Sequence, residues 1–204
     1  LASLGYAVLQ VNFRGSGGYG WGFTESGYGK WGTEIQHDLI DGTRWAASLD
    51  EIDSSRICIV GSSFGGYSAL MAPTIAPDLY KCAAGFAGVY DLELMWTTAD
   101  IERTRGGQNY LAKAIGDDPD TLRRNSPLHN IDKLTIPVFL AHGEKDWRVD
   151  VKHFERMTGA LDEADHPYEA LLLTGEGHGL FDEDNRAMYL GRLAGFLREH
   201  IGSD

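Results

Sequence analysis

Nowhere in the sequence does an apolar run approach the roughly 18 to 20 residues that a membrane-spanning helix needs. No basic segment precedes an apolar one at the start, as a secretory leader would require. Nothing in these residues is therefore expected to anchor or export the chain. Basic residues are also few, with 18 Lys and Arg against 30 Asp and Glu for a net charge of −12. That balance argues against nucleic acid and anionic membrane surfaces as partners, since both are bound through clustered Lys and Arg. Cysteine occurs twice, too rarely for a disulfide framework. Cys58 and Cys82 stand in strand-like runs, where a free thiol behaves as a small hydrophobe. Both are expected to be reduced core residues, with a disulfide left open only if the two strands are neighbours. No His/Cys cluster shows zinc spacing, so neither a metal nor a cofactor is expected. Repeats, low-complexity tracts and linkers are absent too, and residues 1–204 are read as one domain. The compartment is left open, with the cytoplasm favoured.

What is present is an alternation of short apolar runs and amphipathic segments. Leu1 to Gly5 reads as the end of a helix, so the chain is expected to begin inside a domain. Tyr6 to Phe13 reads as a buried strand, followed by a loop of glycines and aromatics to about Gly32. Glu34 to Leu49 reads as a helix with Ile35, Leu39, Ala46 and Leu49 on its inner face. Strand Arg56 to Val60 leads into helix Gly65 to Ala76, then strand Cys82 to Ala87 and an irregular stretch to about Leu134. Strand Pro137 to Ala141, helix Val151 to Ala164, strand Tyr168 to Leu173 and helix Asn185 to Ile201 complete the pattern. Near-continuous apolar strands between helices predict a doubly wound α/β fold, a mostly parallel sheet covered on both faces.

The sharpest chemical signal is Gly61-Ser-Ser-Phe-Gly65, which fits G-x-S-x-G between a strand and a helix. Such a turn lifts the Ser63 hydroxyl above the sheet and leaves the Phe64 N–H free to donate to an oxyanion. A hydroxyl is a poor nucleophile unless a base takes its proton. Of the seven histidines, His178 follows the last strand in the mobile-looking loop Gly175-Glu-Gly-His-Gly179 and is the expected base. His37, His153 and His200 fall on helical segments and read as surface residues, while His129 and His166 sit in polar connections. His142 competes for the role, but it lies just before the acidic loop and is expected to pack beneath it. In that loop Asp146 is chosen over Glu144 as the acid that orients His178, giving the chain order Ser, acid, His. The segment Gly15-Ser-Gly-Gly-Tyr-Gly20 also fits a dinucleotide-binding fingerprint. That motif needs an immediate helix and a second strand ending in an acid. Here a further loop is expected, packed by Tyr19, Trp21, Phe23 and Trp31, and the dinucleotide reading is set aside.

With these residues in view, the chain resembles the catalytic domain of the prolyl oligopeptidase family of serine peptidases, and within it the acylaminoacyl-peptidase-like branch. The likeness rests on Gly5-Tyr-Ala-Val-Leu9, Asn12-Phe-Arg-Gly-Ser-Gly-Gly-Tyr-Gly20, Gly61-Ser-Ser-Phe-Gly-Gly-Tyr67, Ser126-Pro127, His142-Gly-Glu-Lys-Asp146 with Val149, and Gly175-Glu-Gly-His-Gly179. It implies an α/β-hydrolase fold and hydrolysis of short or N-acylated peptides through an acyl-enzyme on Ser63. It also implies that Phe64 is one oxyanion donor, that Tyr67 braces the turn and that Arg148 faces the substrate backbone. Val89 to Trp96, with Leu92, Met95 and Trp96, would help form the pocket for the substrate side chain, opposite Val149. The family's upstream strand, which completes the oxyanion hole and lies between the first two strands here, and its β-propeller cap are not in this sequence. The chain is thus expected to be an N-terminally truncated catalytic domain, with those segments as partners beside the peptide substrate and self-association through the sheet gap as an option. A carboxylesterase could use the same three residues, and a non-catalytic binding module could keep the fold; an intact Ser63, Asp146 and His178 argues against the latter.

Overall fold

Parallel strands cannot be joined by tight hairpins, so each connection must carry the chain back across a face of the sheet. The computed structural model, which describes residues 1–202, does this with helices. The elements run α1 (Trp21–Glu25), α2 (Glu34–Ala47), β1 (Cys58–Ser62), α3 (Phe64–Ile75), β2 (Cys82–Phe86), α4 (Arg105–Ala114), α5 (Pro119–Arg124), β3 (Val138–Gly143), α6 (Lys152–Glu163), β4 (Tyr168–Leu173) and α7 (Glu183–Ile201). The four strands form one parallel sheet in the order β1-β2-β3-β4. The doubly wound α/β architecture expected from the alternation is the one observed.

Alternation along each strand divides the core into two layers. Ala83, Val138 and Leu140 face Leu70 of α3 and Met157 and Leu161 of α6. Ala84, Phe139 and Ala141 face Tyr189, Leu193 and Phe196 of α7. Helix α3 is buried all round from Gly66 to Thr74, which suits its almost unbroken run of small and apolar residues. Pro73 lacks an N–H to continue the ladder, and the helix stops two residues later. At the start of α7, the Asp182 carboxylate accepts the N–H groups of Asp184 and Asn185, both at 3.0 Å. This cap begins the helix two residues earlier than the apolar pattern suggests.

Four sequence expectations are corrected here. Tyr6 to Phe13 is not a strand: among the described residues the backbone of residues 6–12 makes no hydrogen bond, and Val8 and Leu9 are 60% and 46% exposed. The segment is apolar enough for a core strand but has no strand beside it, and β1 is paired on one side only. It lies along α2 instead, where Val11 occupies the space a side chain at Gly42 would need. Second, α2 buries Ile35 as expected, but Gln36 and Ile40 rather than Leu39 and Ala46, and Leu49 lies beyond its end. Gln36 can enter the core because its amide donates to Trp31 O at 2.7 Å and Ser68 Oγ at 3.2 Å. Third, a helix does follow Gly15 to Gly20, but α1 is only five residues long and no sheet strand precedes it, so the phosphate-binding geometry of the fingerprint is not formed. Trp21 and Tyr19, expected to pack that loop, are 67% and 59% exposed.

The fourth concerns the cysteines. Cys58 and Cys82 are direct register partners on β1 and β2, with Cα atoms 4.7 Å apart, and they form a disulfide. The neighbouring-strand condition that left a bridge open is met. The denatured, unreduced chain is therefore expected to take up no alkylating reagent, and two equivalents after reduction. Replacing both residues by Ala should lower stability by about 3 kcal/mol in urea denaturation, as expected for a loop of this length. Two titratable thiols in the unreduced protein would contradict the bridge.

Candidate active site

Ser63 occupies the turn between β1 and α3 with φ 56°, a left-handed conformation that costs a non-glycine residue of order 1–3 kcal/mol. Two features hold it there. Its N–H donates to Phe86 O at the end of β2 at 2.8 Å, and its carbonyl accepts the Tyr67 N–H at 3.0 Å. The turn is so tight that a side chain on Gly61 would collide with the backbone of Gly65, which explains the first glycine of the motif. Phe64 opens α3, so its N–H has no carbonyl one turn earlier in the helix to bond. Its ring packs on Phe13 and Trp31 at centroid distances of 5.1 and 4.6 Å. Tyr67, fully buried, donates its hydroxyl to Asn125 O at 2.8 Å and ties the turn to the loop after α5.

The structure brings the other two chosen residues to Ser63. His178 Nε2 lies 2.9 Å from Ser63 Oγ, and His178 Nδ1 lies 2.7 Å from Asp146 Oδ2. The carboxylate can only accept, which places the proton on Nδ1 and leaves Nε2 bare to accept the Ser63 hydroxyl. Asp146 Oδ1 in turn accepts the N–H groups of Arg148 and Val149, both at 3.0 Å. Burial alone would raise the Asp146 pKa; hydrogen bonds from His142, His178 and the Val149 N–H outweigh it and hold the carboxyl well below its usual range. The acid is thus ionised whenever His178 needs it. His142 packs beneath Asp146, fully buried, with Nε2 2.8 Å from Val149 O and 3.4 Å from Asp146 Oδ2.

A cleft of about 590 Å³ opens beside Ser63. Its walls include Tyr28 and Trp31 from the glycine loop, Ile101 and Tyr110 from the segment after β2, and Met95, Arg148 and Val149 from the predicted pocket set. Leu92 and Trp96, also predicted, do not line it. Leu92 is 1% exposed within the core cluster around Tyr67, and the Trp96 indole donates to Gly116 O at 2.9 Å. Sequence reasoning missed Tyr28, Ile101 and Tyr110; the aromatic content of the glycine loop was a signal for the first only. Arg148 and Asp100 face each other across the rim at 3.5 Å. Asp91, Glu93 and His129 also come within metal-binding reach of one another, but Arg156 sits 2.6 Å from Asp91 and Arg123 3.3 Å from Glu93. Both carboxylates therefore already have cationic partners.

His153, read from sequence as a surface residue, is fully buried. Its Nδ1 accepts the N–H groups of Tyr90 and Asp91, each at 3.2 Å, fixing the chain where it leaves β2. Burial drives its pKa down to about 3, with Asp91 opposing the shift and His142 and Arg156 adding to it. The unfolded chain therefore binds a proton at this residue below about pH 6.5 that the folded chain refuses. Stability from this group is full above pH 6.5 and lost as the pH falls toward 3, at up to about 1.4 kcal/mol per pH unit. The His153→Gln variant, which keeps an acceptor for the two N–H groups but cannot titrate, should flatten urea-denaturation stability between pH 6.5 and 4.5. Parallel curves for the two proteins would contradict this.

The chain is 33% identical over 208 residues to dipeptidyl aminopeptidase BIII of Pseudoxanthomonas mexicana, covering 99% of this chain and 30% of that protein. It is 30% identical over 186 residues to the acylamino-acid-releasing enzyme of Arabidopsis thaliana, covering 88% of this chain and 24% of that protein. The solved structure of a puromycin-hydrolyzing peptidase of Mycobacterium tuberculosis superimposes with a TM-score of 0.87 at 28% identity, over 95% of this chain and 29% of that one. The chain thus spans about a third or less of the length of these relatives. The profile of the prolyl oligopeptidase family matches residues 1–204, and the chain belongs to that family.

Proposed function

We propose that this chain is the catalytic domain of a serine peptidase that cleaves short or N-acylated peptides through an acyl-enzyme on Ser63. The observation that carries the reading is the continuous relay from Ser63 Oγ through His178 to Asp146, at 2.9 and 2.7 Å. In the first step Ser63 Oγ attacks the carbonyl carbon while its proton passes to His178 Nε2, and Asp146 stabilises the imidazolium. The Phe64 N–H donates to the oxygen that becomes negative. His178 then gives its proton to the departing amine, and the C–N bond breaks to leave an acyl ester on Ser63. Water, deprotonated by His178, attacks that ester and restores the hydroxyl.

Substrate class is supported by the relatives, whose names describe release of acylated amino acids and of dipeptides. It is supported also by the cleft, whose apolar wall of Trp31, Met95 and Val149 suits the side chain on the acyl side, with Arg148 at the rim for a backbone carbonyl.

A fluorophosphonate probe tests the nucleophile without requiring turnover. The wild-type chain should label at Ser63 and Ser63→Ala should not. Asp146→Asn should label more slowly by up to about 10⁴-fold, since the histidine tautomer is then no longer fixed. Absence of labelling in folded wild-type protein would favour a non-catalytic binding module. Hydrolysis of an ester panel with no peptide cleaved would replace peptidase by esterase.

A further inference from the structure

The loop that carries His178 is written with three glycines, Gly175, Gly177 and Gly179, a composition that gives up more backbone freedom on ordering than any other. From sequence it reads as mobile. In the structure it is closed by the side chain of Glu176, which is 2% exposed although two residues from the base. Its Oε2 accepts the Phe181 N–H at 3.1 Å, and its Oε1 accepts the Asp182 N–H at 2.9 Å and the Asn185 amide at 3.4 Å. Residues 176–182 thereby form a ring with His178 inside it. The Glu176 carbonyl also accepts the Lys145 N–H at 2.7 Å, next to the acid. A side chain at Gly143 would collide with the Glu176 and Gly177 carbonyls, so this loop lies directly on the end of β3.

Capping α7 does not account for the residue, because Asp182 already accepts the first N–H groups of that helix. The N–H groups that Glu176 takes belong to Phe181 and Asp182, ahead of the helix. Burial would raise its pKa; the N–H groups of Phe181 and Asp182 and the Asn185 amide outweigh that and hold it below the usual carboxylate range. The charged group that opposes this is Asp182, while Glu144 Oε2 accepts the Gly175 N–H at 3.2 Å at the start of the loop.

We infer that Glu176 is a positioning residue whose ionised carboxylate fixes the glycine loop so that His178 Nε2 stays within hydrogen-bond reach of Ser63 Oγ. This rests on the serine-hydrolase reading above. A buried carboxylate holding two backbone N–H groups supplies the rigidity that three glycines remove.

The test is the rate of fluorophosphonate labelling of Ser63 against pH, for wild type, Glu176→Gln, Glu176→Ala and the control Glu183→Gln, with folding checked by circular dichroism. Glu183 lies in the first turn of α7 with a side chain 91% exposed, so its variant should match wild type. Glu176→Ala should label about 10²-fold more slowly, the size of effect that a displacement of about 1 Å produces. Glu176→Gln, which keeps one acceptor, should lose less and decides the matter if the Ala variant does not fold. Both should shift the pH midpoint of the rate, since the surroundings of His178 change. Folded variants that label with the wild-type rate and midpoint overturn the inference alone. A folded wild type that does not label overturns the serine-hydrolase reading, and this inference with it.

Discussion

The site depends on one backbone hydrogen bond, from the Ser63 N–H to Phe86 O at the end of the neighbouring strand. It fixes a residue whose own conformation is unfavourable, and so converts a flexible turn into a rigid platform for a hydroxyl. The close passage of Gly61 past Gly65 makes that bond possible, and the helix start at Phe64 follows from it. Strain at Ser63 is thus met by sheet pairing on one side and by the buried helix α3 on the other.

Asp146 and His178 reach Ser63 by a second constraint, the shared direction of the strands. Because β1, β3 and β4 run parallel, their carboxyl ends lie along one edge, and the loops after them meet there. Those loops are also bonded to each other. Glu144 N–H donates to Leu173 O at 3.0 Å and Lys145 N–H to Glu176 O at 2.7 Å, so the loops that carry Asp146 and His178 are tied to each other. Asp146 spends one oxygen on its own loop and the other on His178, which orients the imidazole without a mobile intermediary.

Much of this was legible in the sequence because it is local. The strand-to-helix turn around Ser63, the strand Tyr168–Leu173 and the chain order of the three polar groups are patterns within short windows. What failed depends on pairing and packing with residues far along the chain. Tyr6 to Phe13 has the composition of a buried strand, yet a strand exists only if another pairs with it. His153 looked like a surface residue because nothing in its helix announces that Tyr90 and Asp91 will present two N–H groups to it. Leu92 and Trp96 could not be told from pocket residues by type, since apolar side chains line cores and pockets alike. Gln36 shows the same limit in reverse, a polar residue buried where Trp31 O and Ser68 Oγ accept from its amide nitrogen.

The central claim is that Ser63, His178 and Asp146 form an assembled relay before any substrate arrives. It is tested most directly by proton NMR of the resting protein, because an imidazole N–H held in a short bond to a buried carboxylate resonates far downfield. The account predicts such a resonance from His178 Nδ1–H in wild type, lost in Asp146→Ala and retained in Ser63→Ala. A folded wild type with no downfield proton, or one that survives Asp146→Ala, would show that the relay is not assembled as described.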